Sequence, residues 1–242
     1  MKCIILAAGS GKRIKNITKK QPKCLIKINN ETLLSRQIRL FRSLNIKKIT
    51  VIRGFKADKI NFNFVKYVFN KNFKTNEQLD SLICAKKEFN QDILVTFADI
   101  IYDLSIVKKI SKSTLGDIVL GVDRNWKERY KFRYDHPFNQ ADKAKVDKDF
   151  NITNIGKKIS LNDTNAEFLG IFKLTKKGCK LFLKNYFKIK KEKKTNKMQI
   201  HNFIQYMINN NNEIKACFIN GRFMEIDTKN DLKIAKNIFN NR

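Results

Sequence analysis

Two cations, Arg13 and Lys23, follow the small-residue stretch Leu6-Ala7-Ala8-Gly9-Ser10-Gly11, and that combination suits the handling of phosphates. Glycines let backbone N–H groups come close to a bound anion. An arginine fork holds a phosphate through two parallel N–H bonds. A lysine supplies a compact charge for a reacting phosphate and an incoming anion. Two acids stand far off in the chain. Asp99 closes the apolar run Asp92-Ile93-Leu94-Val95-Thr96-Phe97-Ala98, and Asp227 closes Phe223-Met224-Glu225-Ile226. Carboxylate oxygens suit Mg2+, which keeps several waters and rarely takes more than two carboxylates beside phosphate. Glu225 shares a strand face with Asp227 and is a third candidate ligand. Read singly, either aspartate also serves as a helix cap, Asp227 more readily than Asp99. Chemistry on phosphates by such residues rests on positioning and charge neutralisation. His136 and His201 pair with no evident nucleophile and read as surface or structural residues.

Two common phosphate motifs do not fit. A Walker-type loop requires glycine at Leu6 and serine or threonine at Arg13. A dinucleotide fingerprint requires a third glycine at Ile14. The elements that must position these residues are legible as periodicity. Residues 2–6, 48–53, 64–69, 92–97 and 117–122 read as strands. Leu34, Ile38 and Phe41 give residues 32–44 an amphipathic helical face, and residues 76–89 read as a second helix. Asp103 is placed to cap a short helix. Strands alternating with helices imply an α/β fold with a doubly wound, mostly parallel, Rossmann-like sheet. A carboxylate such as Asp99, at the carboxyl end of a sheet strand, then lies at the ligand crevice. From Trp126 the rhythm changes. Residues 145–158 read as a hairpin, 167–174 as a strand, 178–187 and 198–209 as helices, 214–219 and 222–226 as short strands, with a last helix from 228. We read one domain over 1–242. It has a nucleotide-binding half at 1–123, a smaller inserted β-rich/α acceptor lobe with returning strands at about 124–227, and a C-terminal helix at 228–242.

Composition narrows the class. The chain has 242 residues, 42% of them hydrophobic, enough for a sizeable core, and only nine Gly and two Pro. Five cysteines without C-x-x-C spacing fit reduced cytoplasmic thiols and exclude a zinc framework. No run approaches the roughly 20 apolar residues of a membrane helix. The formal net charge is +29, which favours polyanionic ligands. The lysines are spread along the whole chain. Lys190, Lys191, Lys193, Lys194 and Lys197 form the one dense run, read as a solvated loop. A non-catalytic nucleic-acid-binding protein has charge as its only support and leaves the loop and Asp99 unexplained.

The pattern Gly9-x-Gly11-x-Arg13 followed by Pro22-Lys23 resembles the signature of nucleoside-triphosphate transferases that activate small phosphorylated compounds. Further stretches resemble the compact cytidylyltransferases for phosphocholine and 2-aminoethylphosphonate. These are Thr75-Asn76, Ser81-Leu82, Phe97 to Ile101, Val122 to Trp126, Tyr130, Arg133, Gln140 to Lys143, Ile155 to Lys157 and Ala166 to Phe172. The resemblance implies that Leu6, Ala7, Ala8, Gly9 and Gly11 line a nucleotide pocket, with Asn76 and Ser81 near base or acceptor. It implies that Arg13 and Lys23 are catalytic and that Asp99 and Asp227, with Glu225 a weaker third, hold Mg2+. On the acceptor side, Trp126 and Tyr130 could face a cationic head group. Asp142 or Glu167 could pair with an amine, and Arg133 could bind the phosphoryl group. Trp126 reads equally well as core, and Arg133 as one of many surface cations. Two positions depart from the pattern: Asp142 replaces a glutamate, and Phe97-Ala98 replaces the commoner Tyr-Gly. The implied activity is Mg2+-dependent transfer of CMP from CTP to a small phosphonate or phosphorylated alcohol or amine, releasing pyrophosphate. A sugar-1-phosphate acceptor is the alternative. The implied partners are CTP and that acceptor, with no nucleic acid, no membrane and homodimerisation left open.

Overall fold

Strands covered on both faces must be apolar almost continuously. Cys3, Ile4, Ile5, Val51, Ile52, Leu94 and Val95 are all fully buried, as that rule requires. The computed structural model describes residues 1–192 and 197–240. The chain opens on β1 (Lys2–Ala7), turns through Lys12–Ile14 into α1 (Lys15–Thr18), and forms a tight hairpin from β2 (Lys27–Ile28) and β3 (Glu31–Thr32). Thr32 caps α2 (Leu33–Ser43): its Oγ1 accepts the Ser35 N–H at 3.0 Å. There follow β4 (Ile49–Arg53), β5 (Lys66–Phe69), α3 (Gln78–Ile83), β6 (Ile93–Phe97), β7 (Ile100–Tyr102), α4 (Leu104–Lys112) and β8 (Ile118–Asp123). The second half holds α5 (Trp126–Tyr130), β9 (Lys143–Val146), β10 (Ile152–Gly156), β11 (Ala166–Leu174), α6 (Lys176–Lys191) and α7 (Ile200–Asn209). It closes with β12 (Lys215–Phe218), β13 (Phe223–Glu225) and α8 (Lys229–Ile238).

The main sheet is mixed and mostly parallel, with helices packed against it. Its order is β10-β9-β11-β6-β1-β4-β5, and β8 pairs with both β11 and β12. β6, β1, β4 and β5 run parallel, β12 runs parallel to β8, and β11 is antiparallel to its neighbours. The expected hairpin at residues 145–158 is the antiparallel pair β9–β10. Outside this sheet, β13 pairs antiparallel with β7. This small ribbon joins the end of the chain to its middle.

Three local expectations change. The helix expected over 76–89 is only α3, followed by a tight turn at Lys86–Glu88. Asp103 precedes α4, yet its carboxylate accepts from Arg222 instead of capping the helix. Lys190 and Lys191 belong to the last turn of α6, whereas Lys193 and Lys194 lie outside the described residues. Among the described residues no helix is long and apolar enough to cross a membrane, and all five cysteines are free thiols.

Candidate active site

The loop after β1 is shaped by its glycines in two different ways. Gly11 has φ +62°, and a Cβ there would sit 2.8 Å from Thr18 Cγ2, so only glycine fits without strain. Thr18 Oγ1 donates to the Gly11 carbonyl at 3.0 Å and ties the loop to α1. A Cβ on Gly9 would meet nothing within 4 Å, so its absence leaves open space in the cavity wall. Pro22, with φ fixed at −61°, starts the turn Lys23–Leu25 and places Lys23 in the interior.

Asp99 stands in the turn between β6 and β7. Buried Gln37 of α2 fastens that turn by donating to the carbonyls of Phe97 at 2.9 Å and Ile100 at 2.8 Å. The β7–β13 ribbon sets Glu225 opposite Ile100, and the Ile226 N–H donates to the Asp99 carbonyl at 2.9 Å. Backbone pairing thus carries Asp227 to Asp99 although the two are remote in sequence.

The four principal candidates converge. Lys23 Nζ donates to Asp99 Oδ2 at 2.9 Å and also to Asp227 Oδ1, while Arg13 Nη1 lies 2.7 Å from Asp227 Oδ2. Burial alone would depress the Lys23 ammonium, but the carboxylates of Asp99, Asp227 and Glu225 outweigh it and hold its pKa above the ordinary value. Asp227 moves the other way: burial raises it, and Lys23 and Arg13 pull it below the usual carboxylate range. Glu225 is raised well above that range by burial, then by its neighbours Asp227 and Asp99.

Arg13, Lys23, Asp99 and Asp227 border a cavity of about 690 Å3. Leu6, Ala7, Ala8, Gly9, Gly11, Arg13, Lys23, Asn76, Ser81, Asp99 and Asp227 all line it. Asn76 and Ser81 are organised by buried Asn70, whose Nδ2 donates to Ser81 Oγ at 2.8 Å and to Asn76 Oδ1 at 2.9 Å. A smaller cavity of about 80 Å3 shares the walls Arg13, Gln78, Phe97, Gln199 and Asp227. Beyond them it is bordered by Arg133, Asp142, Lys157, Glu167 and Glu225. Asp142 Oδ1 lies 3.0 Å from buried His201 Nδ1 and 3.9 Å from Lys157 Nζ. Glu167 is held up at about 7 by burial, reinforced by Asp142, against the Tyr130 hydroxyl and Arg133.

The donor set suits a hard divalent ion. Asp99 Oδ1 is buried and accepts no hydrogen bond among the described residues, leaving a carboxylate oxygen with unused acceptor capacity beside the cavity. Asp227 would supply a second oxygen, although both of its oxygens already pair with Lys23 and Arg13. His136, Glu225 and Asp227 also bring ligand atoms within 4.8 Å of one another. However, Arg133 Nη2 donates to His136 Nδ1 at 2.8 Å, so that nitrogen is already engaged.

Three acceptor-side expectations need correction. Trp126 is only 1% exposed, packs edge-on against Tyr130 and borders neither cavity. Tyr130 borders neither cavity, and its hydroxyl donates to Glu167. The indole and phenol rings instead pack with Ala141 in a small separate core. Arg133 does reach the smaller cavity, but its guanidinium is buried against Asp231 at 2.7 Å, which leaves little charge for a phosphoryl group. His136 and His201 are both buried rather than at the surface. Sequence reasoning missed Gln37, Asn70 and Asp231, and it named Lys157 only within a stretch that resembles the cytidylyltransferases, with no role. Of these only Asp231 had a signal, the Thr228-x-x-Asp231 capping pattern.

The chain resembles known proteins in both sequence and fold. Residues 3–136 match the MobA-like NTP transferase domain. The chain is 28% identical to the CTP:phosphoglutamine cytidylyltransferase of Campylobacter jejuni, over 97% of this chain and 98% of that protein. Its fold matches the inositol-1-phosphate CTP transferase from T. maritima with a TM-score of 0.78 at 19% identity, covering 98% and 94% of the two chains. It also matches the CTP:phosphocholine cytidylyltransferase from Streptococcus pneumoniae with a TM-score of 0.74 at 20% identity, covering 98% of each. With the glycine loop, Arg13 and Lys23 all inside the matched span, the chain belongs to the MobA-like NTP transferase family and is a nucleotidyltransferase.

Proposed function

We propose that this protein transfers CMP from CTP to a small phosphorylated or phosphonate acceptor and releases pyrophosphate. The observation that carries this reading is the meeting of Arg13, Lys23, Asp99 and Asp227 at one cavity wall beside the glycine loop. The full-length likeness to a cytidylyltransferase supports CTP as the donor. Asn76 and Ser81, tied together by Asn70, border the same cavity and offer amide and hydroxyl groups to a base.

In this reading the loop N–H groups and Arg13 hold the triphosphate, with Arg13 on the departing pyrophosphate. Lys23 sits between the acids and the loop and draws the acceptor oxyanion towards the α-phosphate. The acceptor oxygen attacks phosphorus, the bond to the pyrophosphate oxygen breaks, and no proton transfer is needed. Asp99 and Asp227 would hold Mg2+, which when bound neutralises charge on the triphosphate oxygens.

The smaller cavity supports an acceptor with a polar or amine-bearing far end. Asp142, Glu167, Lys157, Gln140 and Gln199 border it, and no Trp or Tyr does. We therefore place amine- and amide-bearing phosphates and phosphonates, phosphoglutamine and 2-aminoethylphosphonate among them, ahead of phosphocholine and sugar 1-phosphates. The test is pyrophosphate release with each of the four ribonucleotides against phosphoglutamine, 2-aminoethylphosphonate, phosphocholine, inositol 1-phosphate and glucose 1-phosphate. Release with CTP and an amine- or amide-bearing acceptor is expected. Turnover only with a sugar phosphate, or only with another nucleotide, overturns the assignment.

A further inference from the structure

Asp227 is reached from behind by a buried clasp built from Asp231 and from Arg133, which also borders the smaller cavity. Arg133 Nε donates to Asp231 Oδ1 at 2.7 Å, with both side chains almost wholly buried. The other Asp231 oxygen accepts the backbone N–H of Asp227 at 3.0 Å and of Thr228 at 2.9 Å. Thr228 Oγ1 in turn accepts the Asp231 N–H at 3.1 Å, completing a reciprocal cap on α8. Arg133 Nη2 also donates to the Glu225 carbonyl at 3.3 Å, and Arg129 Nη1 donates to the Phe223 carbonyl at 3.1 Å. These two carbonyls lie on β13, which also pairs with β7. The segment 223–228 is therefore gripped by β7 on one side and by two arginines and Asp231 on the other.

We propose that Arg133 and Asp231 are positioning residues that fix Asp227 for a divalent ion. The inference rests on the reading of Asp99 and Asp227 as metal ligands. An Asp227 backbone held at its own N–H and two residues before leaves the carboxylate little freedom to turn from the cavity. Neither Arg133 nor Asp231 touches the reacting atoms: their effect passes through the backbone of 225–228. Partners behind metal ligands of this kind typically change metal affinity or activity by about 10- to 100-fold.

The test uses the full chain and Mn2+ as probe. Mn2+ binding in the presence of CTP is followed by electron paramagnetic resonance, and CTP binding in chelator by calorimetry, for wild type, Asp231→Asn and Arg133→Lys. We expect Mn2+ affinity to fall about tenfold or more in Asp231→Asn and less in Arg133→Lys, which keeps the charge but loses the fork. Metal-free CTP affinity should stay within about twofold, and in turnover the Mg2+ requirement should rise while saturating Mg2+ restores most of kcat. Unchanged Mn2+ affinity overturns the proposal. So does an equal loss of metal-free CTP binding, or loss of the cooperative thermal transition in both variants, because the pair would then serve the fold as a whole. Asp99→Asn and Asp227→Asn separate the two levels. If they too leave Mn2+ binding intact, the metal reading fails; if they abolish it while Asp231→Asn does not, only the clasp fails.

Discussion

Lys23 is a buried cation set among acids. A buried ammonium is costly unless acids surround it, and here Asp99 and Asp227 both bind it directly. If the proposed reaction holds, Lys23→Met removes a buried cation from the cavity wall, and kcat for pyrophosphate release should fall about 100- to 1,000-fold. Arg13 is half exposed, so Arg13→Ala should act more gently and mainly on substrate binding. Glu167 adds a pH dependence. Burial lifts its carboxyl from 4.5 to about 7, so between those values the folded protein keeps a proton that the unfolded chain releases. Stability therefore falls as pH rises through that window and levels off above it, by about 3 kcal/mol for a shift of this size. Glu167→Gln should remove the slope. Urea denaturation at about pH 5 and about pH 8 should show the variant gaining on wild type only at the higher pH.

Two elements hold the chemistry in place, and each is open to a single change. Gly11 sits in the left-handed region with Thr18 against it, so Gly11→Ala should strain the loop by about 1–3 kcal/mol and weaken CTP binding more than it lowers Tm. Gln37→Leu strips hydrogen bonds from the Phe97 and Ile100 carbonyls, at about 1–3 kcal/mol in chemical denaturation, and should lower kcat by loosening the turn that carries Asp99. Much of this layer was legible in the sequence. The apolar runs at residues 48–53 and 92–97 gave strands within a residue or so of β4 and β6, because strands buried on both faces leave a continuous signal. The loop glycines, Arg13 and Lys23 carried their spacing openly. Pairing was not legible. Nothing in Phe223-Met224-Glu225 says that it will lie against Ile100–Tyr102, because strand partnership depends on long-range closure and not on local periodicity. Burial was equally hidden: Trp126 and Arg133 have side chains that suit ligands, and only the packing around them shows that they face inward.

At the scale of the whole molecule, the charge has an expected effect on the approach of substrate. A net charge of +29 over 242 residues should draw a triphosphate in from solution. kcat/KM for CTP should therefore fall several-fold as ionic strength rises from about 0.05 to 0.2 M, with kcat itself little changed. The fold brings a loop from the first strand, a turn after the sixth and a strap from the last to one cavity edge, so activity depends on both halves of the chain together. The most direct test follows the phosphorus atoms themselves. Purified protein, CTP, Mg2+ and the acceptors named above are observed by phosphorus NMR, beside Lys23→Met and Asp99→Asn. The triphosphate signals should give way to equal amounts of pyrophosphate and a new CMP-linked acceptor in wild type, and persist in both variants. CTP left intact with every acceptor, or turnover undiminished in the two variants, would mean that the convergence of Lys23 and Asp99 is not where nucleotidyl transfer takes place.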